Sequence, residues 1–203
     1  MKNSDDPQQD SDKQTVGFPG KTQQEVESEN RPFYEIGLSI VQASLNCRDA
    51  LKPWIETPDE TKRQQTEFQL FNEFLFFFTH MATRRIIGYV GDALMGKLVS
   101  YLGGAIPSVA IESYFPNWPI DSRKKMASEF VDLLNEAERQ YSAIDATGEI
   151  MQVLLLLTRH VLELLAVKGV DETKASEVLK IVARQLDGMD MNQMILNLKQ
   201  LEN

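Results

Sequence analysis

The stretch from Phe68 to Arg85, FQLFNEFLFFFTHMATRR, decides the fold of this chain. Phe71, Phe74, Phe78 and Met81 recur at steps of three and four residues, which aligns them along one side of an α-helix. Glu73, His80 and Arg84 form a separate polar stripe roughly opposite that face. Phe76 and Phe77 spread apolar surface further round the helix, a pattern that suits a central element packed on several sides. The polar stripe points to a buried network, although alone it specifies no reaction.

The flanking sequence predicts further helices. On the amino side, Asp59 is placed to cap the Phe-rich helix, and Glu60 favours the positive end of its dipole. Pro53 and Pro58 separate it from an earlier helix, which the spacing of Phe33, Ile36, Ile40, Cys47 and Leu51 starts near Pro32. On the carboxyl side, Ile86 to Ile111 is poor in charge. Met95, Val99, Leu102 and Ile106 repeat there at helical positions, and Gly88, Gly91, Gly96, Gly103 and Gly104 would permit close helix contact. Asp92 and Lys97 interrupt this segment, so core packing is favoured over a membrane-facing surface.

Pro107, Pro116 and Pro119 mark Ile106 to Ile120 as a connection, anchored by Tyr114, Phe115 and Trp118. Asp121 is expected to cap the next helix, which carries Met126, Phe130, Leu133, Leu134, Ala137, Tyr141 and Ile144 at helical spacing. After a turn at Gly148, a helix is predicted from Glu149 to Lys168 and ends at Gly169. Asp171 introduces the Val178, Leu179, Val182 and Leu186 helix, and a shorter helix follows from Met191 to Leu201. The resulting fold class is all-α, a compact multi-helix bundle or orthogonal helical domain over residues 31–203. Residues 1–30, rich in Asp, Gln, Glu and Ser, form a flexible acidic extension.

Composition narrows the function classes. A net charge of -9 over 203 residues argues against broad, sequence-independent nucleic-acid binding. The amino terminus lacks the apolar run of a secretory signal, and no segment is an uninterrupted charge-free membrane span. The single cysteine, Cys47, excludes an intramolecular disulfide and reads as a buried structural thiol, which points to the cytoplasm.

The strongest ligand constellation joins Glu73 and His80 on one helix with His160 and Glu163 on another. If the two helices face one another, two carboxylates and two imidazoles would suit a divalent metal such as zinc or iron. The paired Glu-x-x-His elements of a di-iron bundle are missing. Nucleophile-elbow, phosphate-cradling and dinucleotide motifs are missing too, so no cofactor is assigned and enzymatic activity is left open. Glu73, His80, Arg84 and Arg85 are the candidate ligand-binding residues, with Arg84 and Arg85 beside Phe76 and Phe77 suiting a protein or peptide partner. The leading expectation is a helical interaction or regulatory module that associates with itself, as a homodimer, or with another protein. A small-molecule- or divalent-metal-binding helical protein, enzymes included, is the alternative, and peripheral membrane contact is disfavoured.

Overall fold

The computed structural model describes residues 23–115, 117–145, 150–166 and 171–201. The chain divides into an amino-terminal unit, residues 1–31, and a unit of residues 32–203. Among the described residues there are seven α-helices and no strand: α1 (Gln23–Leu51), α2 (Glu60–Ile87), α3 (Asp92–Tyr114), α4 (Ile120–Asp145), α5 (Ile150–Leu164), α6 (Glu172–Gly188) and α7 (Met191–Lys199). A 3-10 turn, Lys52–Trp54, follows α1 where Pro53 cannot continue an α-helix.

The Phe-rich helix α2 is central, packing against α3, α4, α5 and α7. Phe71, Phe74, Phe76, Phe77 and Phe78 are all buried. Burial of each such side chain is worth about 1.5–3 kcal/mol, roughly twice the net gain from one ordinary hydrogen bond, so five such rings together dictate where α2 sits. Phe76 packs on Phe130 of α4 at 5.3 Å between ring centres, and Phe77 meets Tyr141 of the same helix at 6.1 Å. Phe76 and Phe77 therefore offer no surface to a partner beside Arg84 and Arg85, which corrects that part of the sequence reading. The buried threonine hydroxyls of α2 and α5 are satisfied locally: Thr79 donates to the Leu75 carbonyl at 2.7 Å, and Thr158 to that of Leu154 at 2.8 Å.

Aspartates set several helix starts. Asp59 accepts from the Lys62 backbone N–H at 3.2 Å, Asp171 from Lys174 at 3.0 Å and Asp190 from Gln193 at 3.0 Å. Asp121 does not repeat the pattern. The Pro119 carbonyl accepts from the Arg123 N–H at 3.0 Å, which makes Pro119 the cap and puts Asp121 inside the first turn, facing the dipole instead of closing the helix.

Three boundaries differ from the sequence reading. Helix α1 reaches back to Gln23 with Pro32 inside it, because the Gln and Glu residues before the proline are good helix formers without any apolar face. Helix α3 runs through Pro107 to Tyr114, so the connection shrinks to the residues after Tyr114. An interior proline costs about 3 kcal/mol. Burial of Ile106, Ala110 and Ile111 on the same helix offsets that cost. Helix α5 ends at Leu164, and Ala166 carries the left-handed conformation, φ 53°, that a helix end calls for. Gly148 and Gly169, the expected punctuation around α5, lie outside the described residues.

The glycines leave open space in place of a close approach: a Cβ added at Gly88, at the end of α2, or at Gly96, Gly103 or Gly104 of α3 would meet nothing within 4 Å, whereas one at Gly37 of α1 would lie 3.8 Å from Leu102. The aromatic anchor does form: Phe68 packs edge-on against Tyr114 and Phe115, and Phe115 packs at a tilt on Trp118, 4.4 Å between ring centres. Arg48 of α1 donates to the Tyr114 hydroxyl and lies 5.2 Å from the centre of its ring. No helix among the described residues is long and apolar enough to cross a membrane.

Candidate functional site

The polar stripe of α2 splits between two neighbouring helices. His80 faces α4, where its Nδ1 lies 3.0 Å from Oε1 of Glu138. A carboxylate can only accept, so Nδ1 carries the proton of this bond. Ser142 donates to the same Glu138 oxygen at 3.1 Å. The buried His80 ring also stacks on Tyr141, 5.5 Å away and tilted by 29°. One turn of α4 thus holds the imidazole by both its edge and its face.

Glu73, two turns earlier on α2, meets α5. Its Oε2 lies 3.1 Å from Nδ1 of His160, and each side chain is about a quarter exposed. This hydrogen bond raises the His160 pKa above its ordinary value; burial opposes the shift, and the charges of Glu73 and Glu163 assist it against Arg159. Glu163 itself pairs along α5 with Arg159 at 3.3 Å on the exposed face.

The expected metal set is not brought together. Glu73 and His160 meet, but His80 turns to Glu138 and Glu163 to Arg159. No group of three or more His, Cys, Asp or Glu side chains among the described residues is arranged to hold an ion. The physical reason is axial: Glu73 and His80 lie within about 20° of each other round α2 but about 10 Å apart along it, so one reaches α5 and the other α4.

Beside His80 a cavity of about 480 Å³ opens between α2, α3 and α4. Its α3 side is apolar, formed by Met95, Val99 and Leu102, with Ile87 and Leu134 adding to it from α2 and α4. His80, Arg84, Glu138 and Ser142 supply charge and hydrogen-bonding capacity, and Thr79, Thr83 and Asn135 complete the polar lining. Gly103 also lines it and contributes room, since the position of its missing Cβ is open. An apolar wall with a few convergent polar groups is the composition of a small-molecule site, and the volume falls in the usual range of about 300–1,000 Å³.

Of the residues expected to bind a ligand, His80 and Arg84 line this cavity and Glu73 does not. Arg85 is exposed, with its guanidinium 5.6 Å from the centre of the Tyr89 ring. Glu138 and Ser142 escaped the sequence reading. The signal was present: Leu134, Glu138 and Tyr141 share one helical stripe, so Glu138 interrupts a face that is otherwise apolar. Cys47, as expected, is buried, and burial pushes its thiol up to about 12, which leaves it inert at neutral pH. Compared with known proteins, the chain matches no family, no curated sequence and no solved structure.

Proposed function

We propose that this protein is a small-molecule-binding helical protein, and that the α2–α3–α4 cavity is its ligand site. The observation that carries the reading is the pairing of the Met95, Val99 and Leu102 wall with His80 and Arg84 in one cavity of about 480 Å³. The ligand would bury an apolar body against α3 and direct a polar group to α2 and α4. His80, oriented by Glu138, is suited to a directional hydrogen bond with that group. Methyl-resolved NMR of the full chain with a panel of small amphipathic compounds tests the proposal. Ligand-dependent shifts should cluster on Met95, Val99, Leu102 and Leu134; shifts confined to residues elsewhere, or none with any compound, would sink it.

Self-association is a second reading, favoured by a different surface. Met151 and Leu155 lie one turn apart on α5 with Ile150 beside them, and all three are exposed. Exposed aliphatic side chains grouped in this way suit an interface between protein chains. Sedimentation at several concentrations checks it: a dimer that Met151→Glu weakens supports the reading, and a monomer throughout removes it. A cytoplasmic setting suits the buried, reduced thiol of Cys47, and cell fractionation with recovery in the membrane pellet would contradict it.

A further inference from the structure

We infer that the α2–α3–α4 cavity takes a medium-chain primary alcohol, its hydroxyl between Glu138 and Asn135 and its hydrocarbon chain along Met95, Val99 and Leu102; this names a ligand class for the small-molecule reading and rests on it.

Hydrogen bonds inside the protein decide what the polar side of the cavity has left to offer. Three hydroxyls line it, and each spends its hydrogen internally: Thr79 on the Leu75 carbonyl at 2.7 Å, Thr83 on the Thr79 and His80 carbonyls at 3.0 Å, and Ser142 on Oε1 of Glu138 at 3.1 Å. The Nδ1–H of His80 meets that same Glu138 oxygen at 3.0 Å. Both donors fall on Oε1, so among the described residues Oε2 is left as a charged acceptor, on a side chain 41% exposed. A carboxylate oxygen and hydroxyls that have already given up their hydrogens call for a ligand that donates. Arg84 and His80 have further interactions within the protein, and the choice of head group draws on neither beyond the bond between His80 and Glu138.

Asn135 narrows the donor to a hydroxyl. It precedes Glu138 by three residues on α4, so the two lie on the same side of the helix, and its exposed amide sets N–H donors beside the Glu138 acceptor. A hydroxyl donates to Oε2 and accepts from the amide at once. An ammonium cannot accept, an ether cannot donate, and a carboxylate brings a second negative charge to Glu138.

The apolar wall supplies the place for the chain. Met95, Val99 and Leu102 follow one another at steps of four and three residues along α3, so they form a narrow stripe about 10 Å long. Such a stripe matches an extended hydrocarbon chain better than a wide ring system. Val99 and Ile87 are exposed and Leu102 and Leu134 buried, which gives the chain an apolar path from the rim inward.

Calorimetric titration of the full chain near neutral pH with octan-1-ol, octyl methyl ether, octylammonium and octanoate, each below its solubility or micellar limit, tests the assignment. The alcohol should bind roughly tenfold or more tightly than the ether, the range expected of a hydrogen bond to a charged group, and octanoate should bind most weakly. Glu138→Gln should cut the preference for alcohol over ether at least about threefold while leaving the ether within about twofold, because the acceptor loses its charge. Asn135→Ala, which leaves that carboxylate in place, should weaken the alcohol about threefold. Circular dichroism melting checks that the variants fold. Val99→Trp, which fills the rim, should weaken every compound that binds. If the ether, the ammonium or octanoate binds as tightly as the alcohol and Val99→Trp still weakens it, the hydroxyl head is overturned and the cavity reading stands. A preference for the alcohol that survives in folded Glu138→Gln overturns the placing of the head, and alcohol binding that Val99→Trp leaves unchanged overturns the assignment of the site. Failure of all four to bind overturns the inference, and the NMR panel then decides the cavity reading separately.

Discussion

Glu73 and His160 join α2 to α5 through a 3.1 Å contact between Oε2 and Nδ1, and this is where the protein's stability should respond to pH. Hydrogen bonding to Glu73 raises the pKa of folded His160 above the 6.5 of a free imidazole. Below about pH 6.5 the ring is protonated in both folded and unfolded chains, and the pair contributes fully. As pH rises through the raised folded value the proton leaves and that contribution is lost. Calorimetric melting between about pH 5.5 and 8.5 should show a falling component that His160→Gln removes. An NMR titration should find the His160 pKa lowered in Glu73→Gln. A His160 pKa that Glu73→Gln leaves unchanged would refute the account.

Tyr141 should tolerate loss of its hydroxyl. The ring is buried against Phe77 and His80, and its Oη has no hydrogen-bond partner among the described residues. Burial, with the nearby charges of Glu73 and Glu138, raises its pKa strongly, so the group stays a neutral phenol. Removing a buried polar atom that makes no bond spares its desolvation cost, about 1–3 kcal/mol at most. Tyr141→Phe should therefore be neutral or stabilising in urea denaturation. Destabilisation beyond about 1 kcal/mol would reveal a bond to that oxygen.

Gly96 should accept alanine with a gain. It lies inside α3, exposed, with open space where a Cβ would sit. Gly96→Ala is expected to stabilise the protein by about 0.5–1 kcal/mol through helix propensity and a more restricted unfolded chain. Thermal melting that shows no gain, or a loss, would contradict the open position.

Asp59 and Asp121 should respond unequally to alanine. Asp59 caps α2 through the Lys62 N–H, so Asp59→Ala should cost about 1 kcal/mol. Asp121 lies within the first turn of α4 and contributes through the dipole, so Asp121→Ala should cost about 0.3–1 kcal/mol and lose part of that cost at high salt. Paired denaturation curves at low and high salt distinguish them; equal costs with equal salt dependence would remove the contrast.

Part of the candidate site was legible before folding. His80 and Arg84 belong to the stripe that interrupts the Phe-rich helix, and both line the cavity. Glu138 lay hidden because a glutamate on a helix is ordinary until a particular imidazole is known to face it. The cavity wall was hidden for a related reason. Met95, Val99 and Leu102 have the spacing of core residues, and spacing cannot say that the neighbouring helices stop short of filling the space beside them.

The sequence by itself determined an all-helical chain: the apolar periodicity and the caps at Asp59 and Asp171 are local properties, governed by neighbours a few residues away. Tertiary structure decided the partners. His80 met Glu138 and Glu73 met His160 because burial of the phenylalanines set the rotation of α2, and the polar stripe went where that rotation carried it. Burial of Ile106, Ala110 and Ile111 likewise carried α3 through Pro107, against the local preference of the proline. Contacts between residues far apart in the chain outweigh local preference when the apolar area they bury exceeds its cost, and here they did so both at the proline and at the site.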